Sequence, residues 1–372
     1  MTYTIEKVTT LIGAHRFGAT DANIGFLLTD SRSLCFAEET LFFALKSGRG
    51  DGHAYIPDLY RRGVRNFVVE DVPADYDTAY PDANFLKVES SLVALQRLAE
   101  RHREEYDIPI VGITGSNGKT IVKEWLYQLL SPELKVTRSP RSYNSQIGVP
   151  LSVWLLNEQS QVGVFEAGIS EPGEMQALRG IIQPDIAVLT FIGDAHQRNF
   201  SSLEEKCHEK VELFHDAKTI VYCKDDEIVD QVVAGIDYKG ENLSWSMKDR
   251  SAALFVEKVE KKDFTSTIHY IYKGETGEYN LPFIDEASVR NSVTTAVVAL
   301  HLGLAKEHIA ERMEALEPVA MRLEVKEGSH GCTLINDSYN SDINSLDIAL
   351  DFMSRRPDHK GQGRTLILSD IY

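Results

Sequence analysis

The residue pattern with the clearest chemical meaning is a glycine-rich turn that ends in a lysine and a threonine. The chain reads Gly112-Ile-Thr-Gly-Ser-Asn-Gly-Lys119-Thr120. Backbone N–H groups in such a turn bind phosphate oxygens, Lys119 can reach the outer phosphates, and the Thr120 hydroxyl can ligate Mg²⁺. Because a strict Walker A motif has glycine where Ile113 stands, the match is to a variant. The turn residues that would bind phosphate are Gly115, Ser116, Asn117 and Gly118.

The elements around this turn are those that a phosphate loop requires. Pro109–Ile113 is a short apolar run that predicts a strand. Lys119–Leu130 repeats apolar residues on one helical face, which predicts an amphipathic helix. Strand, turn and helix in this order favour a nucleotide site over a chance glycine turn with a surface lysine.

A second chemically useful residue is Glu166, which follows the predicted strand Val162–Phe165. In open parallel sheets, ligands bind at the carboxyl ends of the strands. A carboxylate there suits Mg²⁺, which prefers oxygen ligands. Further buried-type strands at Ile186–Thr190 and Thr219–Tyr222 alternate with helical segments, so the sequence predicts a parallel sheet covered on both faces.

The rest of the chain divides into two flanking regions and an insertion. Strands are predicted at Phe26–Leu28, Leu41–Leu45 and Asn66–Val69, with a helix at Val93–Arg103. Period-two patterns at Ala253–Val259 and Ser266–Tyr272 predict antiparallel strands, and Ser288–Leu302 predicts a helix. We therefore expect an α/β protein with domains at residues 1–106, 107–318 and 319–372.

The last region begins a new alternation of elements. It comprises a strand at Thr333–Ile335, a helix at Ile343–Met353 and a strand at Thr365–Ser369. Since domains of this kind usually hold roughly 100 residues or more, we expect a third, Rossmann-like domain that is truncated.

Composition narrows the class of protein. The 372 residues include 39 Lys+Arg and 56 Asp+Glu, so the net charge is 39 − 56 = −17. This balance disfavours binding to nucleic acid or to anionic membranes. No apolar run approaches the roughly 20 residues of a membrane span, and no secretory signal is visible. The scattered cysteines Cys35, Cys207, Cys223 and Cys332 fit reduced thiols in the cytoplasm.

Several segments together resemble one family. The phosphate loop is similar to the ATP-binding loop of the Mur ligases, which add amino acids or peptides to the peptidoglycan precursor. The resemblance continues, in order, through Asp30-Ser31-Arg32, Tyr143-Asn144-Ser145-Gln146, Phe165-Glu166-Ala167-Gly168, Ile192-Gly193-Asp194-Ala195-His196 and Asn336-Asp337-Ser338-Tyr339-Asn340. It implies a UDP-binding first domain and an ATP-binding central domain.

The resemblance also implies roles for residues that spacing alone would not single out. Glu166 and His196 are expected as metal ligands, with His196 also near the reacting groups. Lys210 is expected to react with CO₂ and, as a carbamate, to help hold a second Mg²⁺. Only a neutral amine reacts with CO₂, so burial or a nearby cation must lower the pKa of the lysine. Lys206, one helical turn earlier, is a competing candidate.

The resemblance also implies which residues contact ATP and the UDP end of the substrate. Asn291 is expected near adenine, although an ordinary helix N-cap is the alternative. Arg322 and Asp337 are expected to contact ATP from the third domain. Ser31 and Arg32 would bind the UDP end of the substrate, unless they form a polar turn.

The implied reaction is the ATP-dependent joining of D-Ala-D-Ala to UDP-MurNAc-tripeptide, with Asn144 on the substrate side and with ATP and Mg²⁺ as cofactors. Alternatives are a Mur ligase that adds a single amino acid, a folylpolyglutamate synthase, and a non-catalytic nucleotide-binding part of a larger polypeptide. The Asp30–Arg32 region argues against the synthase. A fusion to a following alanine racemase is a further expectation.

Overall fold

The computed structural model describes residues 2–48, 50–193, 199–320, 324–328, 332–338 and 363–368, with residues 346, 349, 350 and 353. The chain divides into two compact units. The first comprises residues 1–108, 143–160 and 180–182, and the second comprises residues 109–142, 161–179 and 183–372. The three-domain boundaries drawn from the sequence remain a prediction. Among the described residues, no helix combines the length and apolar character that a membrane crossing requires.

The first unit is built on a five-stranded sheet with the order β2-β9-β8-β5-β4. Only the pairing of β2 with β9 is antiparallel in this sheet. The unit contains β1 (Tyr3–Thr4), α1 (Ile5–Ile12), β2 (His15–Phe17), β3 (Asn23–Ile24), β4 (Phe26–Leu28), β5 (Thr40–Phe43), β6 (Lys46–Ser47), β7 (Gly50–Asp51), α2 (Ile56–Arg61), β8 (Asn66–Val69), α3 (Tyr76–Ala79), β9 (Asn84–Lys87), α4 (Ser91–Arg103) and α6 (Gly148–Val153).

The second unit is built on a six-stranded parallel sheet with the order β11-β12-β10-β13-β14-β15. The predicted parallel α/β sheet is therefore confirmed. Its elements, some grouped with the other unit at their ends, are β10 (Ile110–Thr114), α5 (Lys119–Leu130), β11 (Val136–Arg138), β12 (Val162–Glu166), α7 (Glu174–Ile182), β13 (Ile186–Leu189), α8 (Leu203–Val211), β14 (Thr219–Val221), α9 (Glu227–Gly235) and β15 (Glu241–Asn242).

A second, mostly antiparallel sheet follows in the same unit, with the order β16-β17-β18-β19. It confirms the predicted insertion, although β16 pairs with β17 in parallel. Its elements and the helices after it are β16 (Trp245–Ser246), β17 (Leu254–Lys262), β18 (Thr265–Tyr272), β19 (Glu275–Leu281), α10 (Glu286–His301) and α11 (Lys306–Glu314).

The phosphate loop ends where helix α5 begins, and the apolar face of α5 fixes the position of the helix on the sheet. Val122, Leu126 and Leu129 are fully buried in one hydrophobic cluster with strand residues Val111 and Val164. Burying a side chain of this size contributes roughly 1.5–3 kcal/mol. The helix is therefore held rigidly on the sheet, and the loop at its amino end is held with it.

The described part of the C-terminal region differs from the prediction. Two strands form an antiparallel pair there, β20 (Glu324–Glu327) and β21 (Thr333–Asn336). Only the second of them was predicted. Residues 365–368 of the predicted strand Thr365–Ser369 have no regular structure, so that prediction is wrong for the residues described. An apolar run becomes a strand only when a neighbouring strand pairs with it. Most of the predicted helix Ile343–Met353 lies outside the described residues.

Candidate nucleotide and metal site

The glycine-rich turn lies between β10, which ends at Thr114, and α5, which begins at Lys119. Gly115 has φ +141° and Gly118 has φ +88°, backbone conformations that L side chains rarely adopt. A Cβ atom on Gly115 would collide with the Thr190 hydroxyl, and one on Gly118 would collide with the Asn291 side-chain oxygen. Both glycines are therefore required by conformation and by space, and the turn takes one shape.

Hydrogen bonds to the segment after β13 hold this turn. The Ser116 N–H donates to the Phe191 carbonyl over 2.6 Å. The Ser116 hydroxyl donates to the Gly193 carbonyl, and the Gly193 N–H donates back to that hydroxyl, each over 3.0 Å. The Thr190 hydroxyl donates to the Asn117 carbonyl. The loop is thus ordered by the protein itself, so little conformational entropy remains to be lost when a phosphate binds.

Two lysines meet at this turn. The Lys119 Nζ donates to the Gly115 carbonyl over 2.7 Å and to the Ser116 carbonyl over 3.1 Å. The Lys210 Nζ, from α8, donates to the same Gly115 carbonyl over 3.2 Å. Phosphate oxygens at this turn would therefore meet the positive charge of Lys119, with the Lys210 amine beside it.

Lys210 is 4% exposed, and its pKa lies well below that of an ordinary lysine. Burial is the largest cause, followed by the positive charges of Lys119 and Lys206. Low dielectric and like charges both disfavour the ammonium form. Its competitor Lys206 is also buried, and its Nζ donates to the Gly193 carbonyl. The lowered pKa of Lys210 favours the neutral amine that reaction with CO₂ requires.

Three oxygen-bearing side chains meet beside the first turn of α5. The Thr120 hydroxyl donates to Glu166 Oε2 over 3.2 Å, and it lies 3.0 Å from the Ser142 hydroxyl. Glu166 is the last residue of β12 and is 0% exposed. Hydroxyl and carboxylate oxygens are the ligands that Mg²⁺ prefers, so the chemistry of this group fits that ion. We call Thr120, Ser142 and Glu166 the oxygen cluster.

The sequence analysis missed two residues of this region, Ser142 and Lys123. Lys123 is 0% exposed, and its Nζ lies 3.0 Å from Glu166 Oε1. A signal for it was present, since Lys123 comes three residues after Thr120 and interrupts the apolar face of α5. No comparable signal pointed to Ser142, which is one serine in a polar loop.

One alternative interpretation of Asn291 is wrong. Helix α10 begins at Glu286, and Asp285 is its N-cap, since its side chain accepts from the Ser288 N–H over 2.7 Å. Asn291 lies in the second turn, buried, with its side-chain oxygen close to Gly118. The sequence pattern misplaced the start of the helix, because Glu286 and Ala287 carry no apolar periodicity.

The remaining expected residues of the second unit are not brought to this site by any described contact. Asp337 follows β21 and is partly exposed. His196 and Arg322 lie outside the described residues. Their expected roles therefore remain predictions.

The expected residues for the UDP end lie in the first unit. Asp30 caps a short 3₁₀ turn, Ser31–Ser33, by accepting from the Arg32 N–H over 3.0 Å. The Arg32 guanidinium also pairs with Asp30 over 2.7 Å, and its side chain remains 87% exposed. Hydrogen bonds from Arg32 lower the pKa of Asp30 to about 2. The Ser31 carbonyl accepts from Arg62, and Asn144 is partly buried. The Arg32 side chain is thus exposed, but its Nε and Nη2 already donate to the Asp30 carboxylate, so a phosphate would have to share or replace that partner.

The chain is similar to known proteins over most of its length. The profile of the Mur ligase middle domain matches residues 113–299, about half of the chain. The UDP-N-acetylmuramoyl-tripeptide--D-alanyl-D-alanine ligase of Bacillus subtilis is 28% identical over 349 residues, which is 92% of this chain and 72% of that protein.

Solved structures show the same fold. The MurF ligase from Thermotoga maritima, solved in complex with ADP, has a TM-score of 0.76 and 25% identity, covering 89% of this chain and 75% of that one. MurF from Acinetobacter baumannii has a TM-score of 0.84 at 23% identity, covering 96% and 77%. The expected α/β fold is confirmed. From the matched middle domain and the glycine-rich turn within it, we conclude that this chain belongs to the Mur ligase family.

Proposed function

We infer that this protein is an ATP-dependent amide ligase that joins D-alanyl-D-alanine to UDP-MurNAc-tripeptide. The observation that carries the inference is the oxygen cluster beside a phosphate loop whose Lys119 and Lys210 both reach the Gly115 carbonyl. The name of the Bacillus subtilis relative supports the two substrates. Because the reaction uses ATP and a nucleotide-linked precursor, we place it in the cytoplasm.

The chemistry explains why both ATP and cations are needed. A carboxylate resists attack by an amine because it is anionic and has no good leaving group. Transfer of the γ-phosphoryl group of ATP to the peptide carboxylate gives an acyl phosphate and ADP. The amine of D-Ala-D-Ala then attacks the carbonyl carbon, and the tetrahedral intermediate expels phosphate as the amine loses its proton. Two anions approach each other in the first step, so fixed positive charge lowers the barrier.

The residues of the loop would supply that charge and hold the phosphates. The N–H groups of Gly115 to Gly118 and the amino end of α5 would bind phosphate oxygens. Lys119 would exchange its contacts with the loop carbonyls for the outer phosphates. We assign Mg²⁺ to Thr120 and Glu166, with His196 as a further ligand; the ion would neutralise phosphate charge. Asn291 would lie near adenine, and Arg322 and Asp337 would complete the nucleotide site.

Lys210 would act as a carbamate. Its neutral Nζ attacks the carbon of CO₂, a C–N bond forms as one C=O π pair moves to oxygen, and the nitrogen releases one proton, so that a neutral amine becomes an anion. Its lowered pKa and its burial support this step. The carbamate oxygens would hold a second Mg²⁺. In the first unit, Ser31, Arg32 and Asn144 would bind the sugar-nucleotide substrate.

One assay tests the proposal. The full-length protein is mixed with ATP, Mg²⁺, UDP-MurNAc-tripeptide and D-Ala-D-Ala, and phosphate release is measured. We expect release that requires both the tripeptide and the dipeptide. Release with a free amino acid in place of the dipeptide would favour the single-residue ligase. Phosphate release that depends on neither acceptor would contradict the ligase assignment. So would the absence of phosphate release when ATP is bound. The alanine racemase fusion stays a prediction.

A further inference from the structure

Lys123 is a buried cation that the proposed reaction does not use. It and Glu166 are both 0% exposed, and Lys123 Nζ lies 3.0 Å from Glu166 Oε1. Burying a charge is costly unless a partner compensates for it. A buried lysine on the apolar face of α5 therefore needs an explanation, and its contacts supply one.

The two carboxylate oxygens of Glu166 have different partners. Oε1 faces the Lys123 ammonium, whereas Oε2 accepts from the Thr120 hydroxyl over 3.2 Å. A carboxylate held at both oxygens cannot rotate freely. Oε2 is consequently the atom that stands with Thr120 in the oxygen cluster.

The same ammonium holds the segment that carries Ser142. Lys123 Nζ donates to the Ser139 carbonyl over 2.9 Å and to the Arg141 carbonyl. Arg141 has φ +49°, a left-handed conformation that is unfavourable for a residue with a side chain. The next residue, Ser142, meets the Thr120 hydroxyl over 3.0 Å. Lys123 therefore holds both the Glu166 carboxylate and the backbone that precedes Ser142.

We propose that Lys123 is a positioning residue for the divalent cation of the nucleotide. It holds Glu166 so that Oε2 faces the cation, and it fixes the backbone at 139–141 so that Ser142 stays beside Thr120. Residues that orient metal ligands typically change metal affinity by about 10–100-fold when they are lost. This inference rests on the proposed function, because it assumes that Mg²⁺-ATP binds at the loop.

The test is a set of binding measurements that do not depend on turnover. ATP binding is titrated calorimetrically across a Mg²⁺ series and in EDTA for wild type, K123M, E166Q and the double variant. We expect K123M to raise the Mg²⁺ concentration for half-maximal effect by about tenfold or more, with ATP binding in EDTA unchanged. Since part of the effect of Lys123 passes through Glu166 and part through the backbone at 139–141, the same substitution should raise the Mg²⁺ requirement less in the E166Q background than in wild type. K239M, at an exposed lysine, is the matched control.

K123R covers the case in which K123M does not fold, because it retains the charge. Its branched guanidinium cannot place one nitrogen on Glu166 and both backbone carbonyls, so a raised Mg²⁺ requirement is again expected. An unchanged Mg²⁺ requirement in folded K123M or K123R overturns the inference, as does an equal shift in both backgrounds. Failure of wild type itself to bind Mg²⁺-ATP would instead contradict the proposed function.

Discussion

Lys119 and Lys210 donate to one backbone carbonyl, that of Gly115, over 2.7 and 3.2 Å. One lysine comes from the start of α5 and the other from α8, so two helices each place an amine at the phosphate loop. Burial is the largest cause of the lowered pKa of Lys210, and the positive charges of Lys119 and Lys206 lower it further. The Lys119 charge that would bind phosphate thus also favours the neutral form of the Lys210 amine.

The lowered pKa of Lys210 predicts how stability changes with pH in CO₂-free solution. Between that lowered pKa and the ordinary lysine pKa of about 10.4, the unfolded chain binds a proton that the native protein does not. Raising the pH through this range therefore stabilises the native state, by up to about 1.4 kcal/mol per pH unit. Below the lowered pKa, both states bind the proton and the slope vanishes.

The measurement is urea unfolding of wild type and K210M at a series of pH values, since methionine keeps the apolar stem and does not titrate. We expect the free energy of unfolding of wild type to rise relative to that of K210M as the pH increases towards 10.4. Parallel curves would show that Lys210 has an ordinary pKa, and would remove the support for its carbamate.

A glycine pair gives a controlled test of the phosphate loop. Gly118 and Gly274 both have φ +88°, but only at Gly118 would a Cβ meet another atom, the Asn291 side-chain oxygen. G118A and G274A should each lose roughly 1–2 kcal/mol of stability from the left-handed backbone. Only G118A should also weaken ATP binding, which calorimetry measures. Equal ATP affinities for the two variants would show that the loop at Gly118 is not part of the nucleotide site.

How far the sequence predicted this site depends on the range of the interactions. Helix α5 was predicted at Lys119–Leu130, and the structure has those bounds, because its pattern is local: a glycine turn, then one apolar face. The strands Phe26–Leu28 and Asn66–Val69 were likewise predicted with their observed bounds. The strands β11 and β15 were not predicted, because neither has an apolar run like that of Phe26–Leu28 and their pairing is not local.

The site itself shows the same limit. Spacing pointed to Lys119 and Thr120, but Ser142 joins them only through the path of the chain after β11. Spacing also left Lys206 and Lys210 as alternatives, because both lie on one buried face of α8. Their different carbonyl partners, Gly193 and Gly115, follow from tertiary structure alone.

Thr120 allows the hydroxyl of the oxygen cluster to be tested directly. T120V removes the donor to Glu166 Oε2 and the contact with Ser142, whereas T120S keeps a hydroxyl. A buried carboxylate that loses one donor costs about 1–3 kcal/mol, so T120V should unfold at lower urea than T120S. T120V should also lose Mg²⁺-dependent ATP binding and phosphate release. Full activity of T120V would exclude the hydroxyl as a metal ligand.

His102 in the first unit predicts a loss of stability in acid. It is 1% exposed; its Nδ1 lies 2.9 Å from the Tyr3 hydroxyl and its Nε2 lies 3.0 Å from the Leu156 carbonyl. This pairing fits a neutral ring whose Nε2–H donates to the carbonyl. Burial lowers the pKa of His102 to about 4. At pH values between the ordinary histidine pKa of about 6.5 and this lowered pKa, the unfolded chain binds a proton that the native protein does not bind.

The stability that His102 contributes as a neutral group is therefore complete above about pH 6.5 and is lost as the pH falls towards its folded pKa, by about 3 kcal/mol in all. H102Q removes the titration, and H15Q, at an exposed histidine, is the control. Urea unfolding at pH 7 and at successively lower pH should show wild type and H15Q losing stability together, and H102Q losing less. If H102Q followed the wild-type curve, carboxylates rather than this histidine would account for the acid sensitivity of the first unit.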